Sequence, residues 1–371
     1  MRLLGLSAVL LSAAAGADEP AAPAWDGVWQ GTIGALPVRA CLQQGGGDYA
    51  VGAYFYLSQN KVIRLNHDGA GSWSEHPGFQ DASTGAWQIA PGPAGLSGTW
   101  QSGGKALPIA LTRVAIGQSD SACSSRAFMA PRLRAVTQTR KPARENGITF
   151  TRITYHPAPW FEDVSITSFA FARSRPGDAA INTALQLDPN LPDGEADYAG
   201  CYSGQIGSLG IDGDFGYAIT PSAIGPGFLT VGINSDTSCG GAHPNSYYFW
   251  RSYDRVTGKP INFARWFAGP DLADPAQDGD TSLPIPPALR RAAVRRMTFD
   301  EPECRDAVVS SDYWFVGLTA AGVRFTPSLP HVAMACTDDA VIPFAAVARY
   351  LTAAGKADLA RLGLGRAARR R

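Results

Sequence analysis

The sequence predicts an α+β protein: a small N-terminal antiparallel β-barrel or sandwich domain, followed by an α+β domain with a mostly antiparallel sheet. Three observations carry that expectation. Short segments that alternate apolar and polar residues recur between Trp25 and Leu111, separated by turns rich in Gly, Asn, Asp and Pro; this spacing is that of sequential antiparallel strands. From Ile148 onward, strand-like segments mix with a few helical ones without a regular strand–helix repeat, which points to α+β rather than to a parallel doubly wound sheet. The length of 371 residues exceeds what one ordinary core organises, so two domains are expected.

The chain opens with Arg2, an apolar stretch from Leu3 to Leu11 and the small residues Ser12 to Ala17, before the polar Asp18-Glu19-Pro20. One positive charge, a short apolar run and an Ala-x-Ala ending make residues 1–17 a secretory signal peptide. That run is shorter than the roughly 20 residues a membrane-spanning helix needs. No later segment is long and apolar enough either, and no Cys follows the cleavage point to take a lipid. A soluble protein without a membrane span, periplasmic or secreted, is therefore expected.

Residues 24–115 form the all-β domain. Segment 25–32 carries Trp25, Val28 and Trp29; segment 36–42 places Leu36, Val38, Ala40 and Leu42 on one side. Segment 49–57 sets Tyr49, Val51, Ala53, Phe55 and Leu57 on one face and Tyr54 and Tyr56 on the other. Further strands fall at 62–65, 72–75, 85–89, 95–100 and 107–111. Tyr54, Tyr56, Trp73, Trp87 and Trp100 have two uses, stacking on a ligand from an exposed face or packing the barrel, and packing is the expectation because aromatic rings dominate core burial. Residues 116–146, poor in apolar side chains and rich in Ser, Arg, Lys, Gln and Pro, read as a linker.

The α+β domain spans 147–354. It begins with strands at 148–154 and 164–171, the second of which slips its alternation by one place at Thr167-Ser168, the mark of a bulge. Helices at 179–187 and 195–205 flank the turn signal Leu191-Pro192-Asp193-Gly194. Strands follow at 217–220, 228–234 and 247–253. A basic helix at 287–297 starts on prolines, where the missing donor does least harm. Strands at 313–318 and 323–325 flank the hairpin loop Thr319-Ala320-Ala321-Gly322, and a helix at 344–352 precedes the tail. Residues 355–371 hold Arg361, Arg366, Arg369, Arg370 and Arg371, a disordered, solubilising basic end.

Charge argues against nucleic acid or an acidic membrane surface as a partner, because Lys+Arg and Asp+Glu both number 32 and leave no excess to attract either. Cys41, Cys123, Cys201, Cys239, Cys304 and Cys336 make an even count in an exported chain, which reads as disulfides. Order along the chain suggests Cys41–Cys123, Cys201–Cys239 and Cys304–Cys336, although six cysteines admit many connectivities. No Cys-x-x-Cys pair or Cys/His spacing suits zinc. Acidic stretches at 188–197, Asp212-Gly213-Asp214 and Asp278-Gly279-Asp280 lack the ligand spacing of a calcium loop. No metal or cofactor is expected.

Cys239-Gly240-Gly241-Ala242-His243-Pro244-Asn245-Ser246 leads into an aromatic strand, then Tyr253-Asp254-Arg255-Val256-Thr257-Gly258-Lys259-Pro260-Ile261 and Ala264-Arg265-Trp266-Phe267. Phe315 to Phe325, Val341-Ile342-Pro343-Phe344 and Tyr350-Leu351 follow in order. This succession resembles the extracytoplasmic domain shared by RsiV-type anti-sigma factors and PdaC-type peptidoglycan deacetylases, over the C-terminal two-thirds of the mature chain. The resemblance implies a surface presented in the cell envelope, which in RsiV-type members recognises lysozyme, and it assigns the candidate binding residues Gly240, Gly241, His243 and Asn245. The chain departs from that pattern where Leu329-Pro330-His331-Val332 replaces a Tyr-Glu pair. It lacks the sigma-binding and membrane segments of the first group and the metal-ligand set of the second, so neither signalling nor deacetylation is implied.

Read on their own, Gly240 and Gly241 admit backbone angles closed to other residues, and a lone His243 lacks the oriented partner that acid–base work needs. A nucleophile–base–acid set would have to come from Ser246, His243 and Asp254, or from Cys239 with His243, and neither stands in a Gly-x-Ser-x-Gly context. The expected function is non-catalytic binding in the cell envelope, with lysozyme or peptidoglycan as target; the alternative is an envelope hydrolase acting on peptidoglycan or its peptides.

Overall fold

The computed structural model describes residues 23–47, 49–78, 81–117, 121–267 and 282–364. The signal peptide at 1–17, Asp278-Gly279-Asp280 and the arginines beyond residue 364 lie outside the described residues.

Eight strands, β1 (Gly27–Ile33), β2 (Leu36–Gln44), β3 (Ala50–Tyr56), β4 (Ile63–Gly69), β5 (Ser72–His76), β6 (Gly85–Gly92), β7 (Gly95–Ser102) and β8 (Lys105–Val114), run up and down and close as β1 pairs with β8. Closure leaves no sheet edge, and a barrel of eight strands has an interior that side chains can fill. Alternate residues do so here: Trp29, Val38, Ala40, Leu42, Tyr54, Leu65, Trp73, Trp87, Ile89 and Ile109 are buried in one cluster. Of the aromatics weighed from the sequence, Tyr54, Trp73 and Trp87 are buried in this core, Tyr56 and Trp100 pack half-buried against it, and the Tyr54 and Trp87 ring centroids lie 4.9 Å apart. One carboxylate sits among them: Glu75 accepts from Trp100 Nε1 at 2.7 Å and from Thr84 Oγ1 at 2.9 Å.

Strand β3 is apolar on both faces because both are covered. Tyr54 faces the barrel interior, while Val51, Ala53 and Phe55 turn outward into a second core. There Phe55 meets Phe128, centroids 5.2 Å apart, on α1 (Arg126–Met129). The segment expected to be a linker is thus partly a packed element and partly a strand. Cys123 bonds Cys41. Arg132, 0% exposed, donates to both carboxylate oxygens of Asp212 at 2.6 and 2.8 Å and to the Asn60 carbonyl at 2.9 Å, between the rings of Phe55 and Phe161. Residues Thr137–Glu145 form β9, the edge of the next sheet. Its Arg140, Lys141, Pro142 and Arg144 hid it from a hydrophobicity pattern, yet charge and proline are what blunt a strand edge against wrong pairing.

That sheet continues through β10 (Ile148–His156), β11 (Val164–Phe171), β12 (Asp214–Ile224), β13 (Phe228–Ser238) and β14 (Asn245–Asp254), in the order β14-β13-β12-β11-β10-β9. Only β11 and β12 are parallel, and a parallel pair needs a crossover connection. Here it contains α2 (Asp178–Ala184) and α3 (Tyr198–Leu209), whose Ile181, Leu185, Tyr202 and Ile206 join Ile166, Ile219, Val231 and Ile233 in the large core. The bulge expected at Thr167-Ser168 is not there: β11 pairs with β10 in unbroken register. Ser168 interrupts the apolar alternation because its buried hydroxyl donates to the Leu185 carbonyl.

The remaining chain builds a four-stranded sheet, β15 (Ser282–Pro284), β16 (Tyr313–Leu318), β17 (Gly322–Pro327) and β18 (Ala340–Pro343), with α4 (Pro287–Val294), α5 (Pro302–Ser310), α6 (Phe344–Val347) and α7 (Ala353–Arg361). Trp314, Val316, Phe325 and Ile342 pack with Leu289, Trp266 and Leu359 in a separate core. Part of the expected disordered tail is therefore α7, capped by Thr352 and anchored by Leu359. No helix among the described residues is long and apolar enough to cross a membrane.

Candidate functional site

The loop after β13 is fixed at its base. Cys239 bonds Cys201 in α3, and Gly240 and Gly241 follow with φ of 99° and 98°. A Cβ on Gly240 would lie 2.7 Å from Ser208 Oγ and 2.8 Å from the Gly204 carbonyl oxygen, so the loop presses on α3 in a way only glycine permits. Gly241 meets nothing within 4 Å and has only its angle as a constraint. His243 stands exposed beyond them, its Nδ1 2.8 Å from the Pro244 carbonyl. A carbonyl only accepts, so Nδ1 is the donor in this contact.

The ring of His243 stacks on that of His331, centroids 4.6 Å apart and planes within 20°. His331 opens a 3₁₀ segment, His331–Cys336, that is bonded to α5 through Cys304–Cys336. Two stretches singled out in the sequence, 239–246 and 329–332, thus meet, each braced by its own disulfide. Asn245, exposed, begins β14 beside them.

Aromatic side chains continue this face. Tyr247 and Phe249 on β14 and Phe315 on β16 follow one another with centroids 5.8 and 5.7 Å apart. Tyr313 is 56% exposed and Val332, next to His331, 92%. Acidic groups lie on the disulfide-linked corner: Asp300, Glu301, Glu303 and Asp306 in and before α5, and Asp338 after the 3₁₀ segment, are all exposed, with Arg305 the cation among them.

The hydrolytic set imagined from the sequence is not assembled. Ser246 Oγ donates to Asp236 at 2.6 Å, Cys239 is in a disulfide, and Asp254 faces its own turn. Asp254 accepts from Val256 N at 2.7 Å and from Arg361 of α7, and Gly258 turns the chain with φ of 76° against Ala180. Arg255, next along, lies buried on Asp178, donating to its two oxygens at 2.8 and 2.7 Å. Burial alone would raise both carboxyls; Arg255 with the Ser174 and Arg175 amides holds Asp178 below the usual range, and the Val256 amide with Arg361 does so for Asp254. The turn motif is structural, and the sequence offered no sign of its partners Asp178 and Arg361, which lie far away along the chain. Of the acidic stretches, Asp197 caps α3 and Asp212 holds Arg132. Among the described residues no three His, Cys, Asp or Glu side chains are placed to share a metal ion.

No protein-family model and no curated protein matches the chain. Among solved structures it is similar to a member of the DUF3298 family from Bacteroides fragilis NCTC 9343, with a TM-score of 0.35 and 12% identity over 60% of this chain and 94% of that one. It is also similar to a DUF3298 family protein from Pseudomonas aeruginosa PAO1, with a TM-score of 0.31 and 13% identity over the same shares.

Proposed function

We propose that this protein is a non-catalytic binding protein of the cell envelope, periplasmic or secreted, whose His243–His331 corner docks a basic protein, lysozyme. The observation that carries the reading is the apposition of two disulfide-braced loops at an exposed face bearing both aromatic and acidic side chains. Rigid loops bind without a large ordering cost, exposed apolar groups ringed by polar ones mark interaction sites, and acids complement a cationic partner. Three disulfides fit a chain that folds where thiols are oxidised. The resemblance of segments 239–267 and 315–351 to the RsiV/PdaC-type extracytoplasmic domain supports the same target.

The Tyr247–Phe249–Phe315 series favours a second reading, peptidoglycan, since sugar rings stack on aromatic faces. Purified mature protein would be mixed with lysozyme in a pull-down and lysis-inhibition assay and, separately, with purified sacculi. Capture of lysozyme supports docking, and capture of sacculi alone moves the target to the glycan. If both are ignored while wall fragments are cleaved, the hydrolase alternative replaces this reading.

A further inference from the structure

Away from that face, between the α1 segment and the start of α3, lies a cleft of about 350 Å³, within the size range of small-molecule sites. Its floor is apolar: Met129 and Tyr198 are each 1% exposed, and Leu133 and Pro189 complete it. Its rim carries two guanidiniums. The Arg126 side chain makes no hydrogen bond or ion pair among the described residues. Arg134 lies over the Trp160 ring at 5.4 Å and spends one nitrogen on the Pro131 and Leu133 carbonyls, both at 2.8 Å, with no carboxylate opposite it among the described residues. The one carboxylate in the lining, Asp197, is committed to α3 and its approach, accepting from Gly200 N at 2.8 Å and Asp193 N at 2.9 Å.

The walls are held from outside the cleft. Cys41–Cys123 and the pair of buried Arg132 with partly buried Asp212 fix one side, and the Asp197 cap fixes the other. A pre-shaped apolar floor beneath two cations that lack counter-charges among the described residues suits one kind of ligand. We propose that this cleft binds a small molecule with an apolar body and a carboxylate. The body covers Met129, Leu133 and Tyr198, and the carboxylate takes the fork of a guanidinium, a planar match that lysine does not offer. This site is independent of the His243–His331 face.

The test uses the full mature chain with a fluorescent amphipathic anion, anilinonaphthalene sulfonate, as reporter. N-benzoylglycine and its neutral amide serve as competitors. N-benzoylglycine should displace the dye at least tenfold more effectively than the amide. An Arg126→Gln/Arg134→Gln variant, altered only at exposed positions, should keep the wild-type thermal midpoint and lose that preference. The proposal is overturned if the dye does not bind, if acid and amide compete equally, or if the preference survives in the double variant.

Discussion

At Gly240 the backbone angle and the available space impose the same requirement. A side chain there would be held at positive φ and pushed into α3. Gly240→Ala should cost about 1–3 kcal/mol, the range for a non-glycine residue held in such a region, and denaturant unfolding measures it; Gly241→Ala, with open space around it, should cost less. Asp178 and Asp254 set a second residue-scale expectation. Both titrate below the ordinary aspartate range in the folded chain, so at acid pH the unfolded chain binds more protons than the native one. Their contribution is complete above about pH 5, where free aspartates have ionised, and is lost as pH falls through the lowered values. Asp254→Asn should therefore lower stability at pH 7 and flatten its decline toward pH 3, seen as a smaller shift of the denaturation midpoint between the two.

Among the elements, α5 and the 3₁₀ segment His331–Cys336 depend most on a covalent link. Val308 is the buried apolar residue of α5, and the 3₁₀ segment buries none. Cys304→Ser/Cys336→Ser should lower stability by about 2–4 kcal/mol and weaken lysozyme binding by releasing His331 from His243; calorimetry and a binding titration read the two effects separately. Legibility in the sequence follows from the same physics. The barrel strands were readable because alternation and turn residues coincide, as at Val38, Ala40 and Leu42. The hairpin through Thr319 to Gly322 was readable from its turn chemistry. Strand β9 was not, because an edge strand with Arg140, Lys141 and Pro142 carries little apolar pattern. Helix α7 was hidden by a basic composition that its Arg361–Asp254 pair puts to use. The loop at His243 stood out by itself and 329–332 only as a departure from the resembled pattern, whereas the stacking of His331 on His243 could be found only once folding had brought the two together.

In the whole molecule, the barrel and the second domain share a core through α1 and α3, and Arg132 is its polar centre. Arg132→Ala should destabilise the protein by about 3–5 kcal/mol, since it strands a partly buried carboxylate and an uncovered carbonyl at once; the unfolding midpoint tests this. Docking of lysozyme requires the second domain to offer a rigid acidic and aromatic corner to a cationic partner. Its most direct test is the affinity of the mature protein for lysozyme across a range of ionic strength, for wild type and for Glu303→Lys/Asp306→Lys. Specific binding that weakens with salt, and falls at least tenfold in the charge-reversed variant, is the predicted result. Binding that ignores both salt and charge reversal, or no binding at all, would contradict it.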